Sequence, residues 1–235
     1  MKLSIIVPVF NEEKTILQAI DRVIEAKIPD FEKEIIVVDD GSTDGTINEL
    51  KKAKGNIKII YHKVNQGKGA AVKTGMKNAT GDYIIIQDAD LEYNPKQIKI
   101  LTEKVIKKNA KVVYGTRLNR MPHLDKEESK HLFIFHYLGN RFLSLITSLL
   151  YGQWITDMET CYKLFPKSAL ANIKLNARGF EFEPEITAKL LKKGYKILEI
   201  QISTKPRGYD EGKKLNTVKD GLKALWSLIK YRFLD

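Results

Sequence analysis

Asp88 and Asp90 flank Ala89 at the end of the hydrophobic run YIIIQ, Tyr83 to Gln87. Side chains two apart in a strand point the same way, so this spacing brings two carboxylates together. Such a pair is a hard oxygen donor set suited to Mg²⁺ or Mn²⁺, ions that keep open positions for substrate phosphates. The same residues also suit a polar turn with capping aspartates. A second acidic group, Asp39, Asp40 and Asp44, lies in DDGSTDGT. Carboxylates there can bind ribose hydroxyls or the N–H groups of a base, or serve a turn and cap the next helix. Asn65, Gly67, Lys68 and Gly69 form a short Gly-Lys loop. It reads either as a phosphate cradle or as a plain turn with a solvated lysine.

Other chemistries find no support. The loop is not G-x-x-x-x-G-K-[ST], which argues against a P-loop NTPase. His62, His123, His131 and His136 lack the H-E-x-x-H spacing of a zinc protease, and each reads as a surface or packing residue. Ser4, Ser42 and Ser144 sit in no G-x-S-x-G elbow. Cys161 is the only cysteine, which precludes an intrachain disulfide and suits a reducing compartment.

The elements that must position these residues alternate. Apolar runs at Leu3 to Val9, Glu34 to Asp40, Lys58 to Tyr61, Tyr83 to Gln87 and Lys111 to Gly115 read as strands. Helical patterns lie between them: Ile16, Ile20, Val23 and Ile24 at helical spacing, Thr46 to Lys52, Gly69 to Asn78, and a helix opened by Pro95 and running to about Lys108. This β-α-β alternation predicts an α/β fold with a mostly parallel central sheet flanked by helices. The polar motifs fall at the carboxyl ends of the strands, where such sheets bind ligands. Further on, residues 120 to 130 read as a loop and Leu132 to Tyr151 as a hydrophobic helix. Phe180 to Lys193 reads as a helix, Lys196 to Ile202 as a strand and Pro206 to Lys214 as a charged loop. Leu215, Val218, Leu222, Leu225, Trp226 and Ile229 define one face of a last helix.

The 235 residues fit one domain, and the net charge of +11 suits anionic partners or a lysine-rich solvated surface. Nucleic acid is not expected, because no recognised binding signature accompanies the charge. Met1 to Val9 enters a strand pattern directly, so no signal peptide is expected. His136, Asn140 and Arg141 interrupt the Leu132 to Leu150 stretch, which reads as interfacial rather than membrane-spanning.

Several segments carry a resemblance: VPVFNEE, VVDDGSTDGT, NQGKGAA, ATGDYIIIQDADLEYNP, GTR, DMETCYKLF, GFEFEPEI and the EGKK after Arg207. In order and spacing the chain resembles family 2 glycosyltransferases of GT-A fold, nearest the dolichyl-phosphate mannose synthase and polyprenyl-phosphate glucosyltransferase branch. The resemblance implies one glycosyltransferase domain over 1–235, with a nucleotide-sugar half at 1–118 and an acceptor half with interfacial helices at 119–235. It implies inverting transfer of mannose or glucose from a GDP- or UDP-sugar to dolichyl or polyprenyl phosphate, assisted by Mg²⁺ or Mn²⁺. The nucleotide sugar would be held by Pro8, Asn11, Glu12, Asp39, Lys68 and Asp88, and the metal by Asp88 and Asp90. Asp88, Arg117, Asp157 and Glu159 would be catalytic. Arg117, Arg141, Arg207, Lys213 and Lys214 would face the acceptor phosphate. The implied location is peripheral, on the cytoplasmic face of a membrane. The chain departs from many relatives in showing no carboxyl-terminal spans, and some short relatives work with a membrane-anchored partner subunit.

Overall fold

The computed structural model describes residues 1–118, 131–205 and 217–234. Among them are seven strands: β1 (Lys2–Val9), β2 (Glu32–Asp39), β3 (Ile57–Tyr61), β4 (Tyr83–Ile86), β5 (Val112–Thr116), β6 (Lys163–Pro166) and β7 (Ile197–Gln201). The helices are α1 (Ile16–Glu25), α2 (Thr46–Leu50), α3 (Lys68–Asn78), α4 (Ile98–Lys108), α5 (His131–Tyr151), α6 (Phe182–Lys192) and α7 (Thr217–Phe233). Pro95 opens a single 3-10 turn that leads into α4, and the Asn94 side chain accepts the Lys96 N–H at 3.1 Å. The loops of 120–130 and Pro206 to Lys214, with Leu215, lie outside the described residues.

The strands form one sheet in the order β3-β2-β1-β4-β6-β5-β7. All neighbours are parallel except β6, which runs antiparallel to both β4 and β5. The mostly parallel sheet flanked by helices is as expected; β6 is an addition. It is four residues long and begins with Lys163, whose side chain is fully buried, so its pattern resembles no half-buried or apolar strand. Ile5, Ile6 and Val7 of β1 are fully buried, because helices cover both faces. Each such side chain contributes about 1.5–3 kcal/mol by leaving water. Helix α3 lies unusually close to β1: a Cβ on Gly75 would overlap the Ile6 side chain. Ala71, Val72 and Met76 of the same helix complete that contact with the core.

From β1 the chain moves outward to β2 and β3, then crosses back to β4 on the other side of β1. The carboxyl ends of β1 and β4 therefore flank a topological switch point, where open α/β sheets bind ligands.

Helices α5 and α7 pack on one another, and the Tyr151 hydroxyl donates to the Leu228 carbonyl at 2.7 Å. Each also keeps an apolar stripe in solvent. Leu138, Phe142, Leu145 and Leu149 are exposed on α5, and Val218, Leu222, Trp226, Ile229 and Phe233 on α7. The spacings of three and four residues put each set on one helix face. Thus Val218, Leu222 and Trp226 look outward, while Ala224, Leu228 and Tyr231 fill the core side. Among the described residues, no helix is long and apolar enough to cross a membrane.

Candidate active site

A cleft of about 450 Å³ opens at the carboxyl ends of β1 and β4. Pro8 and Glu12 reach it from the end of β1, Asp40 from β2 and Lys68 from the first turn of α3. Asp88 and Asp90 enter after β4, Arg117 after β5, and Glu159 and Cys161 just before β6. Asn140 of α5 and Glu183 of α6 complete the wall. Residues far apart in sequence thus meet because strand ends converge.

A chain of alternating charge crosses the floor. The Lys163 ammonium lies 2.6 Å from Glu183 Oε2, and Lys68 lies 3.5 Å from Glu183 Oε1 and 2.8 Å from Asp88 Oδ1. Burial opposes the charge on Lys68, but Asp88, with Cys161 and Glu183, more than offsets it and holds the ammonium well above its usual range. Lys163 also donates to the carbonyls of Met158 and Thr160, at 2.8 and 2.5 Å, which ties the 157–161 segment to α6.

Asp90 is in the opposite situation. Burial, then the neighbouring Asp88 and Glu92 carboxylates, push its carboxyl up to about 7. Crowded acids at a strand end are the setting that a divalent cation relieves. Two carboxylates suffice for such an ion when substrate phosphates and water complete its shell. Among the described residues, no group of three or more His, Cys, Asp or Glu side chains forms a self-sufficient cage. Asp88 and Asp90 therefore fit a metal shared with a phosphorylated ligand, not a structural ion.

Arg117 grips the fully buried Asp157. Its Nε and Nη2 each donate to one carboxylate oxygen at 2.8 Å, and its backbone N–H adds a third bond at 2.9 Å. This fork is already used, so Arg117 presents only its remaining donors to the cleft. Glu159 faces the cleft with its carboxyl end buried and Oε1 lacking a hydrogen-bond partner. Burial raises it, Lys163 and Arg117 pull it down, and Glu183 and Asp157 push it up, to about 7.

Of the residues expected at the site, Pro8, Glu12, Lys68, Asp88, Asp90, Arg117 and Glu159 line the cleft. Four others are placed differently. Asp157 is no wall residue but the buried anchor behind Arg117. Asn11 turns to the 42–44 turn, where its Oδ1 accepts the Thr43 N–H at 2.7 Å. Asp39 is buried beneath the same turn, accepting the Ser42 N–H at 3.2 Å, with Oδ1 lacking a partner. Arg141 is half-buried on α5, while its neighbour Asn140 lines the cleft. Arg207, Lys213 and Lys214 lie outside the described residues.

The Gly-Lys loop proves to be a packing device. Gln66 and Gly67 donate their N–H groups to Asp40, and Ala70 donates to the Arg178 carbonyl at 3.0 Å. Gly67 has φ of 98°, and a Cβ there would overlap the Arg178 carbonyl. Those three amides are therefore spent, while Asn65, Gly67 and the Lys68 side chain line the cleft. The packing assignment of His62 holds: it bridges Asp40 at 2.6 Å and Thr74 at 2.9 Å.

Sequence reasoning missed Tyr93, Asn140 and Glu183, whereas Asp40 of the DDGSTDGT group reaches the cleft. Glu183 lies in GFEFEPEI, inside a helix segment buried from Phe182 to Leu190, so no amphipathic pattern marks it. It is one of three glutamates spaced two apart, Glu181, Glu183 and Glu185, and nothing in the sequence tells them apart. Tyr93 shows itself only through contact, its hydroxyl accepting the Cys161 N–H at 3.0 Å.

The sequence profile described as "Glycosyl transferase family 2" matches residues 4–174. An uncharacterized protein of Methanocaldococcus jannaschii is 32% identical, over 98% of this chain and 99% of its own length. A UDP-N-acetylglucosamine–dolichyl-phosphate N-acetylglucosaminyltransferase of Methanococcus voltae is 29% identical, over 97% of this chain and 94% of its own. Among solved structures, glucosyl-3-phosphoglycerate synthase of Mycobacterium tuberculosis in complex with Mg²⁺ and UDP superimposes with a TM-score of 0.74. It is 17% identical, covering all of this chain and 80% of that one. The architecture is thus the expected GT-A fold.

Proposed function

Because this chain belongs to glycosyl transferase family 2, we propose that it transfers a hexose or N-acetylhexosamine from a nucleotide diphosphate sugar to dolichyl or polyprenyl phosphate at a membrane face. The observation that carries this reading is the double role of α5. Asn140 lines the cleft, while Leu138, Phe142, Leu145 and Leu149 of the same helix stand exposed. A phosphate in the cleft can therefore continue into an apolar chain along α5 without leaving the protein surface. The relative named for a dolichyl-phosphate acceptor supports the same reading. Its UDP donor favours a UDP-sugar over a GDP-sugar here.

In this reading residues 1–118 hold the donor, with Asp88, Asp90 and Lys68 at its diphosphate. Asp88 and Asp90 would hold a divalent cation, which would offset the negative charge that builds on the departing diphosphate. Lys68 faces the same charge from α3. An acceptor phosphate is already ionised near neutral pH, so its oxygen attacks the anomeric carbon without a strong base. Attack opposite the leaving group inverts the anomeric centre. Arg117 orients the acceptor phosphate with the donors left free by Asp157.

The test uses purified protein, Mn²⁺, a panel of radiolabelled UDP- and GDP-sugars, and polyprenyl phosphate in detergent. Label that partitions into organic solvent with one donor is the expected result. Transfer only to water-soluble saccharide or protein acceptors overturns the lipid assignment and leaves the transferase.

The exposed stripes carry a second expectation. Lys219, Lys223, Lys230 and Arg232 border the apolar face of α7, a pattern suited to an anionic bilayer surface. The protein is expected to float with anionic vesicles and to release partly at high salt. Leu222→Ser with Trp226→Ser should weaken binding by about a hundredfold, since each side chain contributes about 1.5–3 kcal/mol on burial. Flotation unchanged by the pair would remove the membrane from this surface.

A further inference from the structure

A second and larger cleft, of about 1060 Å³, lies at the other end of the sheet. It is formed where β4 and β5 begin and the antiparallel β6 ends, so it opens away from the carboxylate cleft. No motif points to it, because its residues come from four separate segments.

Four lysines ring it. Lys73 and Lys77 stand one turn apart on α3. Lys167 follows β6, and its N–H donates to the Asp82 carbonyl at the head of β4. Lys111 precedes β5, and the antiparallel register of Val113 on Leu164 sets it opposite Pro166. Among the described residues none of the four forms an ion pair with a carboxylate. Lys73 and Lys167 reach only main-chain carbonyls, those of Leu175 and Asn176 and that of Ala79. Asp82 is the one acid of the lining, and its carboxylate accepts the Lys2 N–H at 2.8 Å. Exposed lysines elsewhere do find acids, as Lys52 finds Glu49 and Lys107 finds Glu103.

The floor has a different character. Met76, Tyr83, Leu170, Leu175 and Tyr195 line it. A concave, partly apolar floor under a rim of one charge concentrates the field of that rim. It matches a ligand with a compact apolar body and several negative charges.

We propose that this cleft binds a phosphorylated small molecule, with its phosphates at Lys73, Lys77, Lys111 and Lys167 and its body on the Tyr83 floor. The site would be separate from the carboxylate cleft yet share elements with it. Helix α3 supplies Lys68 and Ala71 to one and Lys73, Met76 and Lys77 to the other. The segment through Leu175 to Gly179 likewise touches both.

The test is calorimetric titration at low ionic strength, in EDTA so that metal-bridged binding at Asp88 and Asp90 does not contribute. The probes are ATP and inorganic tripolyphosphate. Saturable binding of either is expected, and Lys77→Ser with Lys111→Ser should weaken it by about tenfold or more, since each removes a charge-assisted contact to phosphate. Lys51→Ser with Lys54→Ser, elsewhere on the surface, should leave it unchanged, as should Lys68→Met. Tighter binding of ATP than of tripolyphosphate supports an organic phosphate. Equal or weaker binding of ATP overturns the apolar floor as a ligand contact and with it the small-molecule assignment. No saturable binding of either probe overturns the proposal. So does equal loss in the control pair, which marks non-specific charge attraction, or loss on Lys68→Met alone, which puts the anion in the other cleft. The titration needs no sugar transfer, so its failure is distinct from failure of the transferase reading.

Discussion

Asp90→Asn is expected to lower sugar transfer by about a thousandfold or more while leaving the metal-free protein more stable than the parent at pH 8. The first effect follows from the donor set. Asp88 and Asp90 bring two carboxylates to the cleft at the end of β4, and losing one charge would remove most of the stabilisation that a cation there would give the leaving diphosphate, worth several kcal/mol. EDTA should imitate the substitution, and added Mn²⁺ should reverse EDTA but not the substitution. The second effect follows from charge crowding. The folded Asp90 carboxyl is raised to about 7 from its usual 3.8, so its contribution to stability is intact below the lower value and lost as pH rises through the higher. At pH 8 in EDTA the carboxylate is an unfavourable charge, and an amide of the same shape removes it. Thermal unfolding in EDTA across pH 4 to 9 reads this directly. Full activity in EDTA would eliminate the metal, and an Asp90→Asn variant less stable than the parent would contradict the crowding argument.

The second large effect concerns Arg117 and Asp157. Arg117→Ala should cost about 3–5 kcal/mol, because it leaves the fully buried Asp157 carboxylate without its partner, and Asp157→Leu should cost less, because the partly exposed guanidinium can turn into the cleft. The larger cost corresponds to a fall in thermal midpoint of roughly 6–20 °C for a chain of this size. The double replacement Arg117→Met with Asp157→Leu should recover much of the stability, since an apolar pair of similar volume commonly does as well as a buried ion pair. Turnover should stay lost in all three. If the double variant regains activity along with stability, Arg117 acts only through folding and the acceptor phosphate is held elsewhere. If the single variants are stable but raise the donor KM, the guanidinium serves the diphosphate instead. Arg117→Lys adds a further contrast: it keeps the charge but cannot close the two-oxygen grip on Asp157.

These expectations rest on two kinds of information. The sequence by itself determined the layered architecture and one end of the site. Runs such as LSIIVPV and YIIIQ are apolar without alternation, which only a strand covered on both faces tolerates, and helical spacing at Ile16, Ile20 and Val23 supplies the cover. Polar residues that follow such a strand must lie at its carboxyl end, so Asp88 and Asp90 were placed by chain direction alone. The metal-site reading needed no contact map.

Tertiary structure decided what those residues touch. Glu183 stands ninety-five positions after Asp88, and no local rule couples them; Lys68 of α3 does so from between them, while Lys163 of β6 holds Glu183 from the other side. β6 itself was illegible because a buried lysine breaks its apolar pattern, and that lysine is tolerated only because Glu183 and two carbonyls surround it. The direction of Arg117 was equally out of reach. Its sequence position beside β5 put it near the cleft, but whether its fork meets a phosphate or a carboxylate depends on Asp157, forty residues away. The stripes on α5 and α7 show the same division: helical spacing reveals that an apolar face exists, whereas which face meets the core depends on what packs against it. Strand direction and hydrophobic period are local properties of the chain, and pairing between distant charges is not.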